Sequence, residues 1–303
     1  MELSPIADRL RRALIAAANR AGGWPYYAGK SPRVEPTCWA LLALAGSGGR
    51  DAATWLAFAD LHRRFLSASQ RADGLLVDAA DGSPNFTANG LAACVLPHVF
   101  ALDAAATSGP SVSRLLAAIV SVKGVSVDTR DPTQDDRLQG WPWIADTFSW
   151  IEPTCWCVLA LKKARAAAPG ADARIQEADK LIANRSCEAG GWNYGNASRL
   201  GQDLRPYVPT TALGLLAMQD RREDAVVARG LAWLDRARAS EPSALALSLA
   251  AIALRVYGKP VDDLDARLSA GIDRAERLGN VQSLALMLYA LTAADHRVQA
   301  LRL

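Results

Sequence analysis

The chain has 303 residues, is 50 % hydrophobic, and carries a formal charge of +3 with Lys and Arg interleaved with acids, which excludes the electrostatic footprint of a nucleic-acid binder. No segment reaches the roughly 18 uncharged apolar residues that a membrane span needs. Met1-Glu2-Leu3-Ser4-Pro5 leads into Arg9, Arg11 and Arg12 with no signal-peptide apolar stretch, and Cys38, Cys94, Cys155 and Cys157 sit in apolar runs as small core residues, so the expectation is a cytoplasmic protein without disulfides.

In chain order the sequence alternates two kinds of helix. The first predicted helix, 3–20, sets Leu3, Ile6, Leu10, Leu14 and Ala17 at helical spacing, with Arg9, Arg12 and Arg20 facing away. It is followed over 36–46 by Pro36-Thr37-Cys38-Trp39-Ala40-Leu41-Leu42-Ala43-Leu44, apolar nearly all round. The same alternation predicts polar helices over 51–70, 111–122, 172–187, 223–238 and 262–278. Apolar helices are predicted over 86–104, 153–167, 209–220, 242–257 and 282–294. Each apolar run opens on a hydroxyl residue: Thr37, Thr87, Thr154, Thr210, Ser243 or Ser283. Pro36, Pro153, Pro209 and Pro242 fit the first helical position, which places Glu35, Glu152, Val208 and Glu241 at or beside the N-cap.

One-sided helices face solvent and all-round apolar helices are buried on both sides, so the pairs fit two concentric layers. An open stack would need polar end caps, whereas the last run (Leu284, Leu286, Leu288, Leu291) is as apolar as the rest. The predicted fold is one all-α domain over 1–303, an (α/α)6 toroid of six helical hairpins with six inner and six outer helices. Its inner helices should start at one end.

Connections within the first four pairs are long and rich in Gly and aromatics, whereas those at 239–241 and 279–281 are tight. Long loops on a rigid scaffold are where sites are built, so a site is expected at that end. Glutamates beside a helix start either cap N–H groups or, where desolvation dominates, face the cavity as proton donors; Glu152 and Glu35 are the candidate acids. Trp24, Tyr26, Trp141, Trp143, Trp150, Trp192, Tyr194 and Tyr207 concentrate in the loops, where they either line a substrate cavity or anchor turns. Trp24 and Trp192 hold a repeat position that favours anchoring, while Trp143, Trp150 and Tyr207 lie outside it. Asp128, Asp131, Asp135, Asp136 and Asp146, with Asp203 and Arg205, either hold Mg2+ on a diphosphate, supply an acid–base pair, or are solvated loop charges. The cysteines and histidines lack zinc-ligand spacing, so no metal site and no required cofactor is expected, Mg2+ entering only with a diphosphate.

Phe65-Leu66, Gln70 and Gly74 resemble the QW repeat of squalene–hopene cyclases, with Leu76 where that family has Trp. Gly190-Gly191-Trp192 follows Ile182 at the matching spacing with Ser186 replacing Gln, and Trp233-Leu234 opens a third copy. The runs from Glu35 to Leu44 and from Pro209 to Met218 are similar to the helix starts of those enzymes. The toroid also resembles protein prenyltransferase β subunits. The resemblance implies an isoprenoid-binding protein, promoting acid-initiated carbocation chemistry on a polyprenyl substrate if it is an enzyme. Glu152 or Glu35 would be the acid, and Trp143, Trp150 and Tyr207 the cation stabilisers. The cyclases' Asp-x-Asp-Asp motif and the prenyltransferases' Asp-x-Cys pair are both missing. Two alternatives stand beside this reading. One is a carbohydrate-active enzyme on an (α/α)6 barrel, with loop aspartates as acid and base and tryptophans as sugar platforms. The other is a non-catalytic toroid whose rim binds a peptide or partner protein.

Overall fold

The structure, a computed structural model, describes residues 3–47, 52–78, 82–100, 110–127, 134–292 and 300–303. It is mainly helical. Six helices are flanked by buried residues on nearly every side: α2 (Val34–Gly46), α4 (Phe86–Phe100), α6 (Ile151–Lys163), α8 (Val208–Ala217), α10 (Ala244–Val256) and α13 (Val281–Thr292). The others are one-sided: α1 (Leu3–Ala17), α3 (Ala52–Ala68), α5 (Val112–Ser121), α7 (Ala171–Asn184), α9 (Ala225–Ala237), and α11 (Asp262–Ala270) with α12 (Ile272–Leu278), a single predicted helix broken at Gly271. The sole sheet among the described residues is a hairpin of β1 (Ser198–Arg199) and β2 (Gln202–Asp203), with Ser198 opposite Asp203.

The buried helices touch in a circuit. α2 packs on α4, α4 on α6, α6 on α8, α8 on α10, α10 on α13, and α13 returns to α2. The one-sided helices lie against them, α1 on α13, α3 on α2, α5 on α4 and α6, α7 on α6, α9 on α8 and α11 on α10. The circuit is tight where Gly90 of α4 meets α6. A Cβ there would lie 2.7 Å from Cys157 N and Trp156 Cβ, so glycine lets the two backbones approach. Trp39 and Trp156 meet edge to face at 5.6 Å across the interior. All five cysteines are buried and unpaired, and burial pushes the thiols of Cys38, Cys94, Cys155 and Cys157 up, which keeps them protonated core residues.

One end of the circuit is covered by the C-terminal residues. Ala300 and Leu301 are buried, Gln219 donates to the Leu301 carbonyl at 3.0 Å, and Lys163 Nζ donates to the Arg302 carbonyl at 2.6 Å. Beneath them Lys162, nearly inaccessible, pairs with Asp179 at 2.8 Å and donates to the Ala217 carbonyl at 2.8 Å. The opposite end, where the buried helices begin, carries the loops. No described helix is long and apolar enough to cross a membrane.

Candidate functional site

The loops are built on one repeated hydrogen-bonded bracket. The N–H groups of Trp24, Trp141 and Trp192 donate to Thr37, Thr154 and Thr211 Oγ1 at 2.8, 3.0 and 3.0 Å, and Leu76 N donates to Asn89 Oδ1 at 2.7 Å. The bracket spans thirteen residues at Trp24, Leu76 and Trp141 and nineteen at Trp192, where the extra length forms the β1–β2 hairpin. Each indole turns inward and donates to a carbonyl of the outer helix just completed: Leu14 at 2.7 Å, Ile119 at 2.8 Å and Ile182 at 2.7 Å.

Those three indoles are fully buried with their N–H groups satisfied, which makes them anchors. Of the two roles open to Trp24, Trp141 and Trp192, this geometry is that of the turn anchor, and none of the three lines the cavities described below. Trp141 holds the same repeat position as the other two, with Arg174 stacked 4.2 Å over its ring. The sequence does contain the signal: Trp24-Pro25-Tyr26 precedes Val34-Glu35-Pro36-Thr37-Cys38-Trp39 at the same spacing as Trp141-Pro142-Trp143 precedes Ile151-Glu152-Pro153-Thr154-Cys155-Trp156.

Two residues past each anchor, the loop crosses to the neighbouring inner helix. The carbonyls of Tyr26, Trp143 and Tyr194 accept the N–H of Val281, Phe86 and Ile151, the first residues of α13, α4 and α6, each at 2.9 Å. Asp78 does the same for α2 with its side chain, accepting from Val34 N at 2.7 Å. Orphan N–H groups at the helix starts are thereby satisfied, and the loops are stitched around the end.

Glu35 and Glu152 are the second residues of α2 and α6. They sit inside the first turn rather than at the cap, because the helices start at Val34 and Ile151 and carry Pro36 and Pro153 as third residues, still tolerated in a first turn. In α8 the register differs by one: Pro209 is second, and the bracket closes on Thr211 rather than Thr210. The two glutamates have parallel surroundings. The Tyr26 hydroxyl donates to Glu35 Oε2, and Trp143 Nε1 donates to Glu152 Oε2 at 3.2 Å, both from nine residues upstream. Glu35 Oε1 also accepts from Gln282 Nε2 of α13 at 2.7 Å, a contribution absent from the sequence reading.

Burial raises the Glu35 carboxyl above its ordinary value, opposed by the Tyr26 bond, with Asp78 adding to the rise and the Gln282 bond opposing it. Glu152 is pushed up to about 7, first by burial, then by the negative charge of Glu35, against a modest lowering by the Trp143 bond. Desolvation thus outweighs the helix dipole, which favours the anion.

An aromatic wall stands beside Glu152. Trp143 stacks on Trp150 at 4.6 Å, and Tyr194 tilts against Trp143 at 5.9 Å and Tyr207 at 5.7 Å. Trp150 and Tyr207 are the caps of α6 and α8. A cavity of about 820 Å³ opens over this wall, lined by Phe148, Trp150, Tyr194, Tyr207, Arg199 and Arg205 among others. A second, of about 560 Å³, lies on the Glu35 side, lined by Tyr26, Tyr27, Lys30, Arg33, Asn280 and Gln282. Each carboxylate is thus one hydrogen bond, or one bond and one ring stack, away from a cavity.

Asp135, Asp136 and Asp203 each have their own partner. Asp135 is held below the usual carboxylate range by Arg137, and Asp136 pairs with Arg185 at 2.9 Å. Asp203 hydrogen-bonds Glu188 and raises its pKa, and Asp203 and Arg205 are exposed at the rim of the larger cavity. Asp128 and Asp131 lie outside the described residues. Among the described residues no group of three or more His, Cys, Asp or Glu side chains could hold a metal ion.

No protein-family model matches the sequence, and no curated protein does. Among solved structures, the fold is similar to a protein from Actinoplanes (14 % identity, 97 % of this chain and 100 % of that one, TM-score 0.57). It is also similar to a mutant of Rex8A from Paenibacillus barcinonensis complexed with an alpha-L-arabinofuranosyl-xylotetraose (12 %, 99 % and 94 %, TM-score 0.58). The third is alpha-2-macroglobulin from Escherichia coli, of whose crystallised part, from domain MG7 to the C-terminus, this chain spans less than half (15 %, 94 % and 42 %, TM-score 0.50). At these identities the likeness is one of fold.

Proposed function

We propose that this protein is a carbohydrate-active enzyme on an (α/α)6 barrel that cleaves a glycosidic bond, with Glu152 as general acid and Glu35 as its anionic partner. The closed circuit of buried helices, with the one-sided helices outside it, supports the barrel. Glu152 is the observation that carries the reaction: a desolvated carboxyl titrating at about 7 is half protonated at neutral pH and suits proton donation to a leaving oxygen. Both oxygens of Glu35 accept hydrogen bonds, which favour its anion against the burial that raises its carboxyl. This assignment takes the acid–base roles from the loop aspartates and gives them to the helix glutamates. Trp150, Tyr194 and Tyr207 supply ring faces on which sugars stack, and the cavity above them has the size of an ordinary ligand site. The oligosaccharide complex of Rex8A, similar in fold, favours this over the isoprenoid reading, although cation stabilisation would use the same aromatic wall.

The test is incubation with a panel of neutral and acidic oligosaccharides, following new reducing ends by mass spectrometry, beside farnesyl diphosphate and squalene. Cleavage of a saccharide that Glu152→Gln abolishes is the expected result. Conversion of an isoprenoid with every saccharide left intact would restore the terpene-cyclase reading.

A further inference from the structure

The second residues of the six buried helices are Glu35, Thr87, Glu152, Pro209, Leu245 and Gln282. The helices follow one another in that order and close on themselves, so these positions ring the end at which the buried helices begin. The polar arc of that ring runs Gln282, Glu35, Thr87, Glu152, and Pro209 and Leu245 complete it. Within the arc Gln282 donates to Glu35, Tyr26 donates to Glu35, and Trp143 donates to Glu152. Thr87 stands apart: it is 4 % exposed, and its Oγ1 is buried with no hydrogen-bond partner. It belongs to α4, the one helix between those that carry the two carboxylates.

A buried hydroxyl without a partner destabilises a fold and calls for an explanation. The repeat contains no packing requirement for a hydroxyl here, since the second position tolerates Pro209 and Leu245. Inverting hydrolysis spaces its carboxyl pair to admit a water, and a hydroxyl on the helix between the two is a natural holder for it.

We propose that Thr87 is a positioning residue that, with Glu35, orients the attacking water; this rests on the glycosidic reading above. The water donates one hydrogen to Glu35 and the other to Thr87 Oγ1, which turns a lone pair toward the anomeric carbon. As the C–O bond to the leaving group breaks, Glu152 passes its proton to the departing oxygen. The water oxygen bonds to the anomeric carbon from the opposite face, one water proton goes to Glu35, and the other stays in the new hydroxyl. Net, one water is consumed, the anomeric configuration inverts, and the two carboxyls exchange protonation states until solvent resets them.

The test compares Thr87→Val, which keeps shape and removes the hydroxyl, with Thr87→Ser, which keeps the hydroxyl. Thermal unfolding of Thr87→Val should occur at or above the native midpoint, because no hydrogen bond is lost in the free protein; a clear drop would mark Thr87 as a structural residue and overturn the inference. On the oligosaccharide of the panel that the native protein cleaves fastest, Thr87→Val should lower kcat about 100-fold with KM within twofold. Thr87→Ser should recover most of that loss, the alkaline limb of the pH profile should not move, and proton NMR of fresh product should show the inverted anomer. Native-like kcat in Thr87→Val, or a retained anomer, overturns this inference and leaves the glycosidic reading standing. Failure of the native protein to cleave any saccharide overturns both.

Discussion

Trp143 donates its indole N–H to Glu152 from nine residues upstream, as Tyr26 donates its hydroxyl to Glu35. The two pairs occupy equivalent places in the first and third repeats, and both connect a carboxylate to the wall of a cavity. Because the indole bond favours the charged form, Trp143→Phe should raise the Glu152 pKa further above its value of about 7. A carboxyl infrared titration of that variant against native protein checks the sign; a downward shift would mean that the bond is not made in solution.

A raised carboxyl pKa makes stability depend on pH in a defined direction. Glu152 costs nothing while it is neutral in both states, below about 4.5; the penalty grows as the unfolded chain ionises and levels off above the folded value of about 7. Between those limits the penalty approaches about 3 kcal/mol, by the conversion of pKa difference to free energy. Glu152→Gln should therefore match native stability at pH 4 and exceed it at pH 8 in urea unfolding. Equal curves at both pH values would show that Glu152 is not desolvated.

The anchors and the wall should separate cleanly by stability. Trp141→Phe strips the Ile119 carbonyl of its donor inside the fold and should cost about 2–3 kcal/mol. Trp150→Ala and Tyr207→Ala, at the partly exposed wall, should cost about 1 kcal/mol or less while weakening saccharide binding. Urea unfolding and isothermal titration of the three variants decide it.

Gly191, immediately before the Trp192 anchor, has a φ of +78°, and a Cβ there would lie 2.6 Å from Thr211 Oγ1, the atom that accepts the Trp192 N–H. Gly191→Ala should cost at least about 2 kcal/mol through strain and loss of the bracket, read as a lowered unfolding midpoint.

Helix order and type are legible in the sequence because burial imposes periodicity: Leu10 and Leu14 face inward from α1, whereas Leu41 and Leu42 are buried in a helix with no exposed face. Helix starts are legible to within two residues. Their alignment is not, because proline is acceptable anywhere in a first turn, so Pro36 and Pro209 fit one register by sequence although they differ by a position in the fold. Glu35 and Glu152 are legible as a recurring pair. What spacing does not supply is desolvation, which arises from how Tyr26, Gln282 and Trp143 close over them; Gln282 lies 247 residues from Glu35. Trp141 reads as a cavity residue because its loop is long and aromatic, while the Thr154 bracket that defines its role as an anchor spans thirteen residues.

The most direct measurement is the pKa of Glu152 itself, from the carboxyl carbon shift of glutamate-labelled protein across pH 4 to 9, assigned by the resonance missing in Glu152→Gln. A midpoint near 7 is the predicted result, and it would give the protein a proton donor at neutral pH beside its aromatic wall. A midpoint near 4.5 would contradict it, leaving Glu152 an ordinary anion at a helix start and removing the acid from the proposed reaction.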